Sequence, residues 1–314
     1  MGFDNSNISQ TYSGWIDLFG WGTSGYNHGA VCYQPWGTSI TKSDYYAYGE
    51  SSYNLFDQTG QADWGYNAIS NGGNTTNTWR TLTKDEWVYL FNTRATTSGI
   101  RYAQAQVNNV NGVILLPDDW STDYYTLNST NASGAGFSTN VITATQWATL
   151  EQHGAVFLPA AGYRWCTSVD YVGSLVYYWS ASSNGSDRAY AVYFCDGYLS
   201  ASSNYFRLWG QSVRLVCPVE NCSFGINATP NPVEGGAMSG TGAYEAGTVC
   251  TLTAMPSTGY KFAHWTENGA IVSTEATYSF VVVSERNLVV NFVAEGNIVF
   301  VDDHVTHIAG GANS

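Results

Sequence analysis

The sequence predicts an α+β fold over residues 1 to about 217, followed by a small all-β domain. Two stretches open with a capping box and continue as an apolar stripe at helical spacing, which indicates two helices. Two short apolar runs ending in Leu-Pro indicate buried strands. Short strands with Ser, Asn and Gly turns between Tyr177 and Val216 complete a compact antiparallel sheet.

The first eighty residues are aromatic, polar and rich in glycine. Their apolar runs are short, and turn signals such as Gly20-Trp21-Gly22 and Asn71-Gly72-Gly73 recur. We therefore expect long ordered loops that are packed by their own Trp and Tyr side chains.

The two predicted helices begin after Thr83 and Thr143. A Glu or Gln follows each threonine three residues later, as a capping box requires, and Gly154 would end the second helix. The apolar residues that follow the caps are Trp87, Leu90 and Phe91 in the first helix and Trp147 and Leu150 in the second. The two Leu-Pro runs, Gly112–Pro117 and Ala155–Pro159, are expected to be central strands.

The character of the chain changes at Cys217-Pro218, where Trp and Tyr become rarer. We divide the chain into a first domain (1–217), a linker (218–226), a small β domain (227–294) and a tail, or the start of a further segment (295–314). The predicted strands of the small domain are Thr248–Ala254, Tyr260–Trp265, Thr277–Val283 and Leu288–Val293, the last two joined by a hairpin turn at 284–287.

The composition excludes several classes of partner. The formal net charge is −13 and Lys and Arg are not clustered, which argues against nucleic acid. No apolar run approaches the ~20 residues of a membrane span. The 23 Tyr residues, together with abundant Ser, Gly and Asn, are typical of recognition surfaces. A loop-rich β protein with a neutral surface is the alternative.

The cysteines and histidines indicate neither a metal site nor a cofactor. There is no C-x-x-C pair and no His at zinc-ligand spacing. Cys217 and Cys222 lie at the domain junction, where a disulfide and free thiols both remain open. Asp118 and Asp119 offer carboxylates that could ligate calcium, but as turn residues they need no metal.

Several ordered strings resemble a known family. They are Thr78–Thr83, Asn111–Pro117, Phe157–Arg164, Tyr178–Ser182 and Gly210–Val216. The chain up to residue 217 is similar to the Fibrobacter succinogenes major paralogous domain, which implies a C-type-lectin-like fold in a surface protein. It also resembles the variable proteins of diversity-generating retroelements. That resemblance implies a Tyr- and Ser-rich hypervariable face just ahead of the strand Ser212–Val216.

In the segment Tyr177–Val216, the alternation of side chains along each strand separates residues that face the core from residues that face outward. Val192 and Phe194 should point inward, whereas Ala191, Tyr193 and Cys195 should point outward. The bulky apolar side chains on either side of Arg207 are costly to expose unless a partner covers them; they are Tyr205, Phe206, Leu208 and Trp209. The alternative is that these side chains pack against the N-terminal loops. The predicted ligand-binding residues are Tyr171, Tyr177, Arg188, Ala191, Tyr193, Cys195, Tyr198, Ser200, Tyr205, Phe206, Leu208 and Trp209.

The second domain resembles the internalin B-type repeat family. The strings that carry this resemblance are Gly235-Gly236, Tyr244–Val249, Leu252–Ala254, Gly259–Phe262 and Trp265. It implies a β-grasp-like module that serves as a spacer or in adhesion.

These observations favour a non-enzymatic ligand-binding or adhesion module of a bacterial or phage surface protein. Its partner, a protein or a glycan, is unknown, and its location is extracellular, at the cell surface or on a phage particle. Two alternatives remain. The first is an enzyme on the same fold, of the formylglycine-generating type with Cys195 and Cys217 as its only late cysteine pair, or of a hydrolytic type without a Gly-x-Ser-x-Gly elbow. The second is a structural stalk.

Overall fold

The structure, a computed structural model, describes Thr11 and residues 17–57, 61–66, 79–217, 223–282 and 285–295. Strands account for 43% of these residues and helical turns for 11%. The protein is therefore β-rich, and the expected α+β class with two substantial helices was wrong. The physical reason is that both helices exist but stay short, whereas strands also form outside the segments in which they were expected, as at Tyr102–Val107 and Ser168–Asp170.

Both helices begin where their capping boxes predict. Helix α1 (Lys84–Val88) continues into a π-helical turn, and α2 covers Ala144–Gln152. The Thr83 and Thr143 hydroxyls accept from the backbone N–H three residues later, and the side chain there accepts from the backbone N–H of the threonine. Gly154 follows α2 with φ +83°, a left-handed conformation that suits glycine and ends the helix.

Among the described residues, the first module contains eleven strands. They are β1 (Arg80–Thr81), β2 (Tyr102–Val107), β3 (Val110–Leu115), β4 (Val141–Ile142), β5 (Val156–Pro159), β6 (Tyr163–Trp165), β7 (Ser168–Asp170), β8 (Leu175–Asn184), β9 (Arg188–Cys195), β10 (Tyr198–Phe206) and β11 (Leu215–Val216).

These strands form two sheets and two small pairs. Strands β8, β9 and β10 make an antiparallel sheet with β9 in the middle, and the second sheet has the order β4-β2-β3-β5. Strand β1 pairs with β11, and β6 pairs with β7. Of the two Leu-Pro runs, the first is a central strand as expected, whereas the second, β5, lies at an edge.

The sheet β8-β9-β10 is covered completely on one face and only at one end on the other. Val192 and Phe194 point into the main core, which also contains Trp87 and Phe91 from the first helical segment. The opposite face is covered at one end by the N-terminal loops through Trp21. These loops are ordered as expected, since Trp21, Tyr45 and Tyr46 are buried and residues 17–57 contain only one short 3-10 turn. The turn signal at 71–73 lies outside the described residues.

In the part of the second module that the structure describes there are eight strands. They are β12 (Ser223–Asn231), β13 (Gly236–Ser239), β14 (Gly242–Glu245), β15 (Val249–Pro256), β16 (Tyr260–Glu267), β17 (Ala270–Ser273), β18 (Thr277–Val281) and β19 (Arg286–Ala294). One sheet has the order β14-β12-β19-β16-β17 and the other has the order β13-β15-β18. The two sheets share one core, in which Trp265, Phe280 and Phe292 are buried.

Three sequence expectations for this module need correction. Strand β12 already begins at Ser223, inside the predicted linker. Strands β18 and β19 lie in different sheets, so they do not form a hairpin; Ser284 of the expected turn is outside the described residues. The β-grasp-like arrangement was also expected, but the described residues form two sheets around a common core with no helix beyond one 3-10 turn.

Candidate binding face

The outer face of sheet β8-β9-β10 is open at the end away from the N-terminal loops, and tyrosines occupy it. Tyr177 of β8 lies opposite Tyr193 of β9, and their rings stack with centroids 4.5 Å apart. Tyr205 of β10 contacts Tyr177 at 4.8 Å. The alternation of the strands places these three rings on one side, because every second side chain of a strand shares a face.

Further rings extend this surface beyond the sheet. Trp209 contacts Tyr205 at 4.7 Å, Tyr163 at 4.6 Å and Trp165 at 4.7 Å. Tyr163 contacts Tyr171 at 5.4 Å, and Tyr198 contacts Tyr193 at 5.8 Å. We call these eight residues the aromatic array: Tyr163, Trp165, Tyr171, Tyr177, Tyr193, Tyr198, Tyr205 and Trp209.

Every member of the aromatic array keeps contact with solvent. Trp165, Tyr171 and Tyr198 are 38%, 57% and 52% exposed, and the other five are half-buried. The ring spacing falls in the 4.5–7 Å range that aromatic pairs prefer, roughly 0.5–1.5 kcal/mol per pair beyond area burial. The array is therefore a continuous surface whose members hold one another in place.

A cationic cluster lies at one end of the array. The Phe206 ring, which contacts Tyr205, has Lys42 Nζ 3.9 Å and the Arg188 guanidinium carbon 4.0 Å from its centroid. Lys42 also pairs with Asp187 at 2.6 Å, and Arg188 donates to Asn204. Asp187 compensates Lys42, so Arg188 is the cation of this cluster without an ion pair among the described residues.

Burial keeps three tyrosine hydroxyls of the array protonated at neutral pH. It raises the pKa of Tyr193 to about 12 and also raises the pKa of Tyr177 and of Tyr163. Within the described part of the chain, the hydroxyls of Tyr171, Tyr177 and Tyr205 make no hydrogen bond. They are therefore available to donate hydrogen bonds to a partner.

The structure brings ten of the twelve predicted site residues to this face. Six belong to the array: Tyr171, Tyr177, Tyr193, Tyr198, Tyr205 and Trp209. Arg188 and Phe206 form the cationic end. Half-buried Ser200 and Cys195 lie beside the array, opposite Tyr193 and Tyr198 respectively in the strand register.

The predicted outward positions of Ala191 and Leu208 were wrong. Ala191 is 0% exposed and belongs to the core cluster of Trp21 and Trp179. Leu208 is 3% exposed and packs with Cys32 and Tyr45. Alternation assigned Ala191 to the correct face of β9, but the N-terminal loops cover that end of the face.

Sequence reasoning missed Tyr163, Trp165 and Lys42. The alternating aromatics of Tyr163-Arg164-Trp165 were a usable signal for the first two, since they stand on one side of a short strand. Lys42 had no local signal, because it lies 145 residues from its partner Asp187.

The cysteines do not form the pair that the formylglycine-generating alternative needs. Cys195 is a free thiol, as are Cys32, Cys166 and Cys250, whereas Cys217 is disulfide-bonded. Cys222 lies outside the described residues. Asp118, considered as a calcium ligand, lies 3.1 Å from Arg94 Nη1. Across the described ranges, no three His, Cys, Asp or Glu residues are grouped so that they could hold a metal ion.

No helix among the residues that the structure covers has the length and apolar character needed to cross a membrane.

Residues 226–296 match the family of divergent InlB B-repeat domains. The match spans strands β12 to β19, apart from the first three residues of β12, and confirms the resemblance of the second module. It does not extend to the first module. No curated protein and no solved structure matches the chain.

Proposed function

We propose that the protein is a non-enzymatic ligand-binding or adhesion module of a bacterial or phage surface protein, and that it binds a protein partner through the aromatic array. The observation that carries the proposal is the set of eight mutually contacting, solvent-accessible rings. The divergent InlB B-repeat domain supports a surface location, since such domains are typically surface-associated.

The residue types of the face favour a protein over a glycan. Tyr, Trp and Arg are the residues that most often dominate the binding energy of protein interfaces. The polar neighbours of Tyr193 and Tyr198 are the hydroxyl of Ser200 and the thiol of Cys195. A carboxylate, that of Asp170, lies opposite Tyr163 at the margin of the array. An exposed aromatic patch of this kind is typical of a protein-interaction surface.

The array is also pre-organised for binding. Its central tyrosines project from strands whose other face is anchored by Val192 and Phe194 in the core. A ring that is already held by its neighbours loses little side-chain entropy when a partner covers it, which leaves more of the contact energy for affinity.

The array has the position that the resemblance to retroelement variable proteins implies. Tyr177, Tyr193, Tyr198, Tyr205 and Trp209 all precede the terminal segment Ser212–Val216. We infer that sequence variation, where it occurs among copies of this gene, is concentrated in these residues and spares Val192 and Phe194.

A displayed random-peptide library provides a direct test. Peptides are selected on the wild-type protein and then assayed on a triple variant, Trp165→Ser, Tyr171→Ser and Tyr198→Ser, which removes the three most exposed rings of the array. We expect binding to weaken at least ~tenfold, since buried interface aromatics often contribute more than 1 kcal/mol each.

The matched control replaces three exposed tyrosines outside the array: Tyr48→Ser, Tyr53→Ser and Tyr89→Ser. This variant should bind the selected peptides as the wild type does, and circular dichroism should show that both variants fold. Peptides that bind the array variant and the wild type equally would contradict the proposal. Binding to a glycan panel that is lost in the array variant, with no peptide selected, would replace the protein partner by a glycan.

A further inference from the structure

A cavity of about 250 Å3 lies between α1 and the strands β3, β5 and β11, and it shares no residue with the aromatic array. Its walls are mainly apolar. Leu90, Leu115, Val156 and Val216 line it, and all four are half-buried residues at the margin of the main core. Apolar side chains that are only partly covered and surround one depression can gain burial from a ligand.

Two arginines also line the cavity. Arg94 is almost completely buried, and its Nη2 donates to the Leu116 carbonyl at 2.5 Å while its Nη1 lies 3.1 Å from Asp118. Its Nε is buried and has no hydrogen-bond partner within the described residues. An unsatisfied buried donor costs about 1–3 kcal/mol, so this N–H would gain from an acceptor.

Arg214 carries the other guanidinium. It keeps solvent contact, and within the described residues it makes neither a hydrogen bond nor an ion pair. Desolvation by the surrounding protein lowers the pKa of the Arg214 guanidinium. The nearby Tyr178 and Glu151 side chains oppose this shift. Burial raises the pKa of the Glu151 carboxyl, and the positive charges of Arg286 and Arg214 oppose that shift.

We propose that this cavity binds a small amphiphile with one carboxylate. The apolar chain would lie against Leu90, Leu115 and Val156, and the carboxylate would accept from Arg214 and the spare N–H of Arg94. One guanidinium without an ion pair among the described residues and one unsatisfied N–H donor match a monoanion with two oxygen atoms. The cavity lies below the range of about 300–1,000 Å3 that is usual for drug-sized ligands, which restricts the ligand to a short acyl chain.

Calorimetric titration of the full chain with octanoate tests the proposal, with 1-octanol and octylammonium as ligands of equal chain length. We expect octanoate to bind at least ~tenfold more tightly than octanol, as a charge-assisted hydrogen bond of about 1.5–3 kcal/mol implies, and octylammonium not to bind. Equal binding of octanoate and octanol to the wild type would overturn the proposal without any variant.

Variants then locate the site. Arg214→Gln should weaken octanoate binding at least ~tenfold, and Arg214→Lys should restore part of it. Val156→Phe should fill the cavity and abolish binding. Arg80→Gln is the matched control, because Arg80 is a partly exposed arginine outside the cavity, and it should leave octanoate binding unchanged.

The assignment of octanoate binding to this cavity would be overturned if Arg80→Gln weakened binding as much as Arg214→Gln, or if Arg214→Gln bound octanoate as tightly as the wild type. If Val156→Phe does not fold, the octanoate affinities of Arg214→Gln and Arg80→Gln still show whether the ligand binds in this cavity. The array variant with Trp165, Tyr171 and Tyr198 replaced should bind octanoate normally, so the two sites can fail independently.

Discussion

At the residue scale, Arg207 shows how a region almost without regular structure is held in place. Its side chain is buried and stacks over Trp21 with the guanidinium carbon 4.6 Å from the ring. It donates to five backbone carbonyls, which belong to Tyr46, Ala47, Glu50, Gly185 and Arg188. All of these carbonyls except that of Arg188 in β9 lie in turns or loops without a strand partner, and the guanidinium supplies the donors that they lack.

We expect Arg207→Met to lower the free energy of unfolding by about 3–5 kcal/mol, because several buried carbonyls lose their donor at once. Urea unfolding followed by circular dichroism measures the change. Arg188→Met is the control, since Arg188 is a half-buried arginine on the same sheet with one side-chain hydrogen bond. It should cost no more than about 1 kcal/mol. Equal costs for the two variants would refute the role assigned to Arg207.

At the element scale, the two capping boxes determine where the helices begin. The box at Thr83 is reinforced, because Glu86 also forms a two-pronged ion pair with Arg80 at 2.7 and 2.5 Å. In the box at Thr143, Gln146 has no such additional partner among the described residues. Helix α1 is therefore connected through its cap to strand β1, whereas the cap of α2 is purely local.

Thr83→Ala and Thr143→Ala should each destabilise the protein by about 1 kcal/mol, the usual cost of losing an N-cap side chain. Thr83→Ala should cost more than Thr143→Ala. Without the Thr83 hydroxyl, the Glu86 carboxylate is held less firmly in position, which weakens its ion pair with Arg80. Chemical denaturation of purified variants measures both. Thr97→Ala, at an exposed loop threonine, is the control and should stay within about 0.5 kcal/mol. A Thr97 variant as costly as the cap variants would contradict this account.

At the scale of the whole molecule, the two modules are in direct contact. Gln152, at the end of α2, donates to the Ser279 carbonyl of β18 at 2.8 Å. Trp79 packs its ring 5.8 Å from Phe224 and joins the margin of the second core. The aromatic array and the repeat-like module are thus held in a defined relation through side chains of the first module.

Replacing both Trp79 and Gln152 by Ala should uncouple the modules. A lost hydrogen bond and a lost aromatic contact, each worth about 1 kcal/mol, should raise the rate of proteolytic cleavage between the modules roughly tenfold or more. Limited proteolysis with mass spectrometry measures this rate. The control is Tyr48→Ala with Tyr53→Ala, two exposed rings away from the junction. Unchanged cleavage in the Trp79 and Gln152 variant would show that these contacts do not hold the modules together.

Local signals in the sequence were sufficient for several features. Capping at Thr83 and Thr143, the inward positions of Val192 and Phe194, and the repeat-like second module could all be predicted. Each depends on residues a few positions apart, or on a family pattern within one module. The proportion of strand was underestimated because short polar strands such as β6 and β7 lack the apolar runs by which strands are recognised.

The sequence by itself determined which residues on strands β8 to β10 could face outward, because alternation is a property of the extended backbone. Only the tertiary structure decided which of them remain open. The N-terminal loops, more than a hundred residues away in the chain, bury Ala191 and Leu208 and bring Lys42 to Phe206. Likewise, Tyr163 and Trp165 meet Trp209 only through folding. Which surface stays exposed depends on distant segments that local patterns do not encode.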